Sequence, residues 1–227
     1  MYSPLVGRLR VFTSSSGAAR LAAARQILDE LPSGVDALIV GASRAAADEL
    51  ALQVARDRGA LFGVSRSGFG ELAARLALPA LAAEGLSPTG ALGAEAVVTR
   101  VAFEARADGR LRYFAPVAGM PGFPRAAART LHELQMAGVE AAALASLDGA
   151  GADLAALVDG AVREARRAGT VPRAGVFAAA ARVLGERPGA LGASAVILLD
   201  VALASPLETS FAAAIVEAAS EVFATVA

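Results

Sequence analysis

Apolar and polar positions recur at two different periods along this chain, and the change from one to the other organises it. RLRVF at residues 8–12 alternates with period two and predicts a short strand. In the segment TSSSGAARLAAARQILDEL that follows, Leu21, Ala24, Ile27, Leu28 and Leu31 fall on one face of a helix. The serine–glycine cluster supplies the N-cap of that helix, and Pro32, Ser33 and Gly34 stop it. ALIV at residues 37–40 is an uninterrupted apolar run of the buried-strand kind, after which GAS turns into a helix over Arg44–Arg58. ALFGV at residues 60–64 predicts a third strand. Strand and helix alternate through this first third, the pattern of a parallel sheet covered by helices.

From residue 67 to about residue 185 the helical period takes over. GFGELAARLALPALAAEG, GAEAVVTRVAFEARAD, FPRAAARTLHELQMAG, ADLAALVDGAVREARRAG and RAGVFAAAARVLGE each end at Gly or Pro and carry arginine on a polar side. Strand character returns in ASAVILLD at residues 193–200, followed by a helix over 206–219 and a final strand in VFATVA. The expected fold is therefore an α/β parallel sheet formed by residues 1–66 and 190–227, interrupted by a large all-helical insertion over residues 67–189.

Composition narrows the chemistry. Of 227 residues, 56% are hydrophobic and 19% charged, which supports a packed core and argues against disorder. A net charge of −1 removes any chain-wide attraction to nucleic acid but leaves room for a local arginine stripe. There is no cysteine, so disulfides and thiolate metal sites are excluded. All 21 basic residues are arginine. Without lysine the chain has no Schiff-base nitrogen, no lysine general base and no lysine to hold the β- and γ-phosphates of a nucleotide. The N-terminal MYSPLVGRLRVF lacks the apolar core of a secretion signal, and AVILLDVALA is interrupted by Asp200, so a soluble cytoplasmic protein is expected.

Three turns carry candidate chemistry. The first is Ser14, Ser15, Ser16, Gly17 and Arg20 between the first strand and helix. Backbone N–H groups cradle phosphate at such a turn in nucleotide-binding proteins, but here Arg20 is the nearby cation and a capped helix start is the simpler reading. The second is GASRAAADEL, where Ser43 and Arg44 open a helix. A short-chain-dehydrogenase loop would need glycines where Ala45, Ala46 and Ala47 stand, and its catalytic tyrosine needs a lysine partner. The third is Asp200, a carboxylate at the end of a buried strand, where magnesium is held in nucleotide hydrolases. Val201 follows it, so no adjacent catalytic glutamate exists, and a turn-capping role is an equal reading. His132 stands alone as a packed or surface histidine. The groups Arg106, Arg110 and Arg112, and Arg163, Arg166 and Arg167, read as solvated helix faces or as phosphate-backbone contacts.

Taken in order, these segments resemble the N-terminal helicase-like region of AddB-type subunits of bacterial helicase–nucleases, proteins of the PD-(D/E)XK nuclease family that process DNA breaks. The resemblance is carried by RYFAPVAGMPGFPRAAARTLHELQMAGVEAAAL. There Pro121, Gly122 and Phe123 precede a helix bearing Thr130, Glu133, Leu134, Ala137 and Gly138. LIVGASRAAADELA is similar to helicase motif Ia of that family, and AVILLDVALASPLETSFAAAI to a degenerate Walker B strand with Glu208 opening the next helix. The resemblance implies a degenerate P-loop-NTPase-like sheet of the superfamily 1 helicase domain 1A type. SSSGAAR stands where an ATP-binding relative has Gly-Lys-Ser/Thr, so ATP with magnesium is not an expected cofactor, and neither catalysis nor a metal site is expected of this chain alone. The implied role is a scaffold of an exonuclease subunit in DNA repair. It would touch single-stranded DNA through Ser43 and Arg44, with a partner helicase–nuclease subunit or further C-terminal domains beside it. The chain then reads as the N-terminal part of a larger protein. Two other readings remain at this point: a nucleotide-binding enzyme with a degenerate phosphate loop, and a Rossmann-type oxidoreductase acting on a small molecule.

Overall fold

The computed structural model describes residues 8–32 and 34–227, so the segment 1–7 and the helix stop read at Ser33 lie outside the described residues. Its core is a sheet of five strands: β1 (Arg8–Thr13), β2 (Ala37–Gly41), β3 (Val64–Gly68), β6 (Ala195–Leu199) and β7 (Glu221–Val226). Their order is β1-β7-β6-β2-β3, and every neighbouring pair is parallel. All five C-terminal strand ends therefore share one edge. The two strands with an uninterrupted apolar sequence, β2 and β6, are buried along their whole length, as expected of strands covered on both faces.

Helix α1 (Gly17–Glu30) carries the chain from the edge strand β1 across to β2, and α2 (Arg44–Arg58) carries it on to β3. Both pack on the same face. Ala24 and Leu28 of α1 and Ala47, Leu50, Ala51 and Val54 of α2 form one cluster with Ile39, Ile197, Leu199 and Phe223 of the sheet. The flanking Leu21, Ile27 and Leu31 close this cluster, completing the apolar helix face read in the sequence. Helix α9 (Pro206–Ala218) runs from β6 to β7, the opposite direction across the sheet. Right-handed crossovers then put α9 on the other face, where Phe211 lies 5.1 Å from Phe69, the first residue of α3 (Phe69–Ala83).

The third strand lies further along the chain than its apolar run suggests. Gly63 takes φ +70°, which no strand residue adopts, and its carbonyl instead accepts the N–H of Ala37 at 2.8 Å. Pairing starts only at Val64, and Phe62 is left 88% exposed.

The chain divides into two compact units. One holds residues up to Ala77 with Ala179–Ala204 and Thr209–Ala227; the other holds Leu78–Ala178 with Ser205–Glu208. Two of these boundaries fall inside the continuous helices α3 and α8 (Arg173–Glu186), and the other two flank Ser205–Glu208 at the start of α9. The second unit contains α4 (Ala91–Ala107), α5 (Phe123–Met136), the short α6 (Ala141–Ala145) and α7 (Gly151–Arg167). It is not purely helical. β4 (Ser87–Pro88) pairs in parallel with β5 (Thr170–Val171), because the left-handed Gly85 and Gly169 end α3 and α7 and release both segments into extended backbone.

Within that unit Val101 of α4 meets α7 at Gly160, where a Cβ atom would stand 2.5 Å from Val101 Cγ1. Only glycine permits this approach. Asp153, buried in the first turn of α7, accepts the backbone N–H of Arg112 at 3.0 Å and of Phe114 at 2.9 Å. That carboxylate satisfies two peptide groups of the loop between α4 and α5 and fixes its course.

Candidate functional site

At the C-terminal edge of the sheet, neighbouring strands β2 and β6 send their following helices in opposite directions, so the loops after Gly41 and Leu199 diverge. Crevices of open parallel sheets form at such switch points. The two loops are tied by a hydrogen bond from the Ala42 N–H to the Leu199 carbonyl at 3.1 Å.

The connection from β1 to α1 consists of Ser14, Ser15 and Ser16. Ser14 donates its N–H to the Val226 carbonyl at 3.1 Å, and the Ser14 hydroxyl accepts the Ser16 N–H at 3.2 Å. Ser16 is the N-cap of α1, its hydroxyl accepting the Ala19 N–H at 3.3 Å. Ser15 is exposed. Gly17 begins the helix, and a Cβ there would meet nothing nearer than Arg20 Nη2 at 3.7 Å. The backbone at this position is open to solvent.

Arg20, one turn into α1, reaches back over the loop. Its Nε donates to Asp200 Oδ1 at 2.7 Å, and its Nη1 donates to the Ser14 carbonyl. Asp200 directly follows β6 and holds φ +52°, the one non-glycine residue in the left-handed region among those described. Thr225 of β7, buried beside it, donates its hydroxyl to the same Oδ1 at 2.6 Å and accepts the Asp200 N–H at 3.0 Å. The Arg20 hydrogen bond, reinforced by Thr225 and opposed by partial burial, holds the Asp200 carboxyl below the usual carboxylate range. Asp200, read apart from the Ser14–Arg20 turn in the sequence, joins Ser14 and Arg20 in one cluster.

Ser43 and Arg44 stand at the next loop. Ser43 caps α2 by accepting the Ala46 N–H at 3.2 Å. Gly41 is required here, since a Cβ would lie 2.6 Å from the Ser43 carbonyl oxygen, and a Cβ on its register partner Gly68 would lie 3.0 Å from the Arg44 nitrogen. Two side-chain-free positions thus let the start of α2 rest on the ends of β2 and β3. The Arg44 guanidinium is gripped by two carboxylates, Asp48 at 3.1 Å and Glu71 at 3.0 Å, and Arg66 stands 3.6 Å from Asp48. Two arginines and two acids leave no net charge at this corner.

Sequence reasoning missed Thr225, Glu71 and the need for Gly41 and Gly68. Asp48 lies one helical turn beyond Arg44, a spacing legible in advance. Glu71 and Thr225 come from distant segments that only the sheet register brings in. His132 is exposed on α5, and Arg163, Arg166 and Arg167 are exposed on α7. Among the described residues no group of three His, Asp or Glu is placed to hold a metal ion, and no helix is long and apolar enough to cross a membrane.

No protein-family model matches the chain, and no curated protein matches it either.

Proposed function

We propose that this chain is a helicase-like α/β scaffold that does not turn over nucleotide. In this reading it belongs to a DNA-break-processing assembly and offers the C-terminal edge of its sheet to single-stranded DNA. The observation that carries the absence of turnover is the Arg20–Asp200 ion pair at 2.7 Å, while the DNA role rests on the family resemblance. A nucleotide hydrolase needs a cation free to meet phosphate and a carboxylate free to meet magnesium at these two positions. Here each occupies the other. The three-residue turn before α1 is too short to wrap a triphosphate, and the chain has no lysine to supply the missing contact.

What remains at the edge is a binding surface, with Ser43 and Arg44 as the contacts that the family resemblance implies. Phosphate must displace Asp48 and Glu71 from Arg44 to bind there, so the interaction is an exchange of ion partners and is sensitive to salt. The test is fluorescence anisotropy of a labelled single-stranded oligonucleotide with the full chain at low and moderate salt. Salt-sensitive binding, with Arg44→Ala lowering the slope of log K against log salt by about 0.7, is the expected result. No binding at low salt defeats the nucleic-acid part of the proposal.

A further inference from the structure

From Gly109 to His132 the chain contains four arginines (Arg110, Arg112, Arg125 and Arg129) and no aspartate or glutamate, in a protein whose net charge is −1. The segment is a purely cationic stretch of the second unit. Its first half is the loop between α4 and α5, pinned from below by Asp153 through the Arg112 and Phe114 N–H groups. With the backbone held from inside, the side chains turn outward. Tyr113 is 59% exposed, Val117 46% and Met120 59%. The Tyr113 ring stands edge-on to Phe114 at 5.1 Å, and Phe114 packs on Phe123 at 5.6 Å, so the exposed ring rests on a half-buried aromatic base.

Arg106, at the end of α4, lies across the same loop. A Cβ on Gly119 would stand 2.8 Å from its Nη1 and 2.9 Å from its Cζ, so the glycine makes the space in which the guanidinium lies. Among the described residues neither Arg106 nor Arg112 has a carboxylate partner. Arg110 is paired with the exposed Asp108 at 2.9 Å, and Arg129 has Glu133 at 3.5 Å. Arg44 is in the opposite condition, already held by two carboxylates.

We propose that the loop over residues 110–122, with Arg106 beside it, is a stacking platform for single-stranded nucleic acid. Tyr113 and Met120 would take the bases, and Arg106 and Arg112 the phosphates. A ring exposed on one side and fixed on the other stacks a base with little loss of side-chain freedom, and uncompensated guanidinium groups meet phosphate without first giving up an internal partner. The pairing of apolar, aromatic and purely cationic positions fits a polyanion with flat bases better than an acidic polypeptide, which offers nothing to stack. This inference rests on the proposed single-strand binding and locates a second contact for it.

The test uses the full chain and a labelled oligothymidylate in anisotropy titrations over a salt series, with Arg106→Ala/Arg112→Ala, Tyr113→Ala, Tyr113→Phe and Arg44→Ala compared with the unmodified protein. The double arginine variant should reduce the salt slope by about 1.4, twice the single-strand value per phosphate. Tyr113→Ala should weaken binding roughly tenfold, and Tyr113→Phe should restore it because the stacking face is kept. Binding by the unmodified protein that none of these loop variants changes overturns the platform while leaving single-strand binding intact. Absence of binding by the unmodified protein overturns both. Capture of polyglutamate by the loop, with no binding of the oligonucleotide, also overturns the platform, in favour of a protein partner.

Discussion

Arg20 and Asp200 are 180 residues apart in the chain, and their charged groups meet at 2.7 Å at the end of the sheet. The contact links α1 to the turn after β6, and through Thr225 to β7. It spans three elements that the sequence separates. Only 12% of the Arg20 side chain is exposed, so removing its partner leaves a poorly solvated cation.

Asp200→Ala should therefore lower stability by about 1–2 kcal/mol, the usual penalty for leaving a partly buried donor unsatisfied. Asp200→Gly should lose less, by about 1 kcal/mol, because glycine adopts φ +52° without strain. Urea denaturation of the two variants compares them directly. Equal midpoints would mean that the left-handed backbone at this position stores no strain.

The same carboxyl sets an acid limit. Its folded pKa is depressed, so the stabilisation is fully present above the unfolded carboxylate value of about 3.9 and is lost as pH falls through the folded value. The difference in melting temperature between the unmodified protein and Asp200→Asn should be constant near neutral pH and shrink on acidification below about pH 4. Thermal melts across pH 2–7 measure it, and a gap that widens in acid would contradict the assigned ion pair.

Two glycines at the sheet edge should respond in opposite ways. Gly41→Ala drives a Cβ to within 2.6 Å of a backbone oxygen and should destabilise by about 2–3 kcal/mol. Gly17→Ala meets nothing closer than 3.7 Å and should be neutral or stabilising by up to about 1 kcal/mol, since alanine favours the helix. Thermal melts of both variants read the contrast.

Asp153→Ala should be the most damaging of these changes. It orphans two peptide N–H groups at a buried position, a loss of about 2–4 kcal/mol. Tyr113 fluorescence and amide exchange in the loop over residues 110–122 should both report loosening, and unchanged exchange protection would show that the loop does not depend on this carboxylate.

Much of this architecture is written locally. The strands β2 and β6 are legible because a strand buried on both faces needs an unbroken apolar run, and α2 is legible because Ser43 caps it and Gly59 ends it in the left-handed region. β3 is misplaced by the same logic: ALFGV has the apolar run, but Gly63 turns the backbone before pairing begins. The position of Asp200 at a strand end is legible; its partners are not. Thr225 reaches it only through the β6–β7 register, in which Leu199 pairs with Thr225. The neutralisation of Arg44 is half legible, since Asp48 follows at helical spacing while Glu71 arrives from α3.

The most direct test of the account is thermal denaturation of the full chain across a titration of ATP with magnesium. If Arg20 and Asp200 close the nucleotide position against each other, the melting temperature does not move at any ligand concentration. A saturable rise would contradict this; a ligand at 100 times its dissociation constant adds about 2.7 kcal/mol of stability. Loss of that rise in Arg20→Ala would then show that the guanidinium binds phosphate after all.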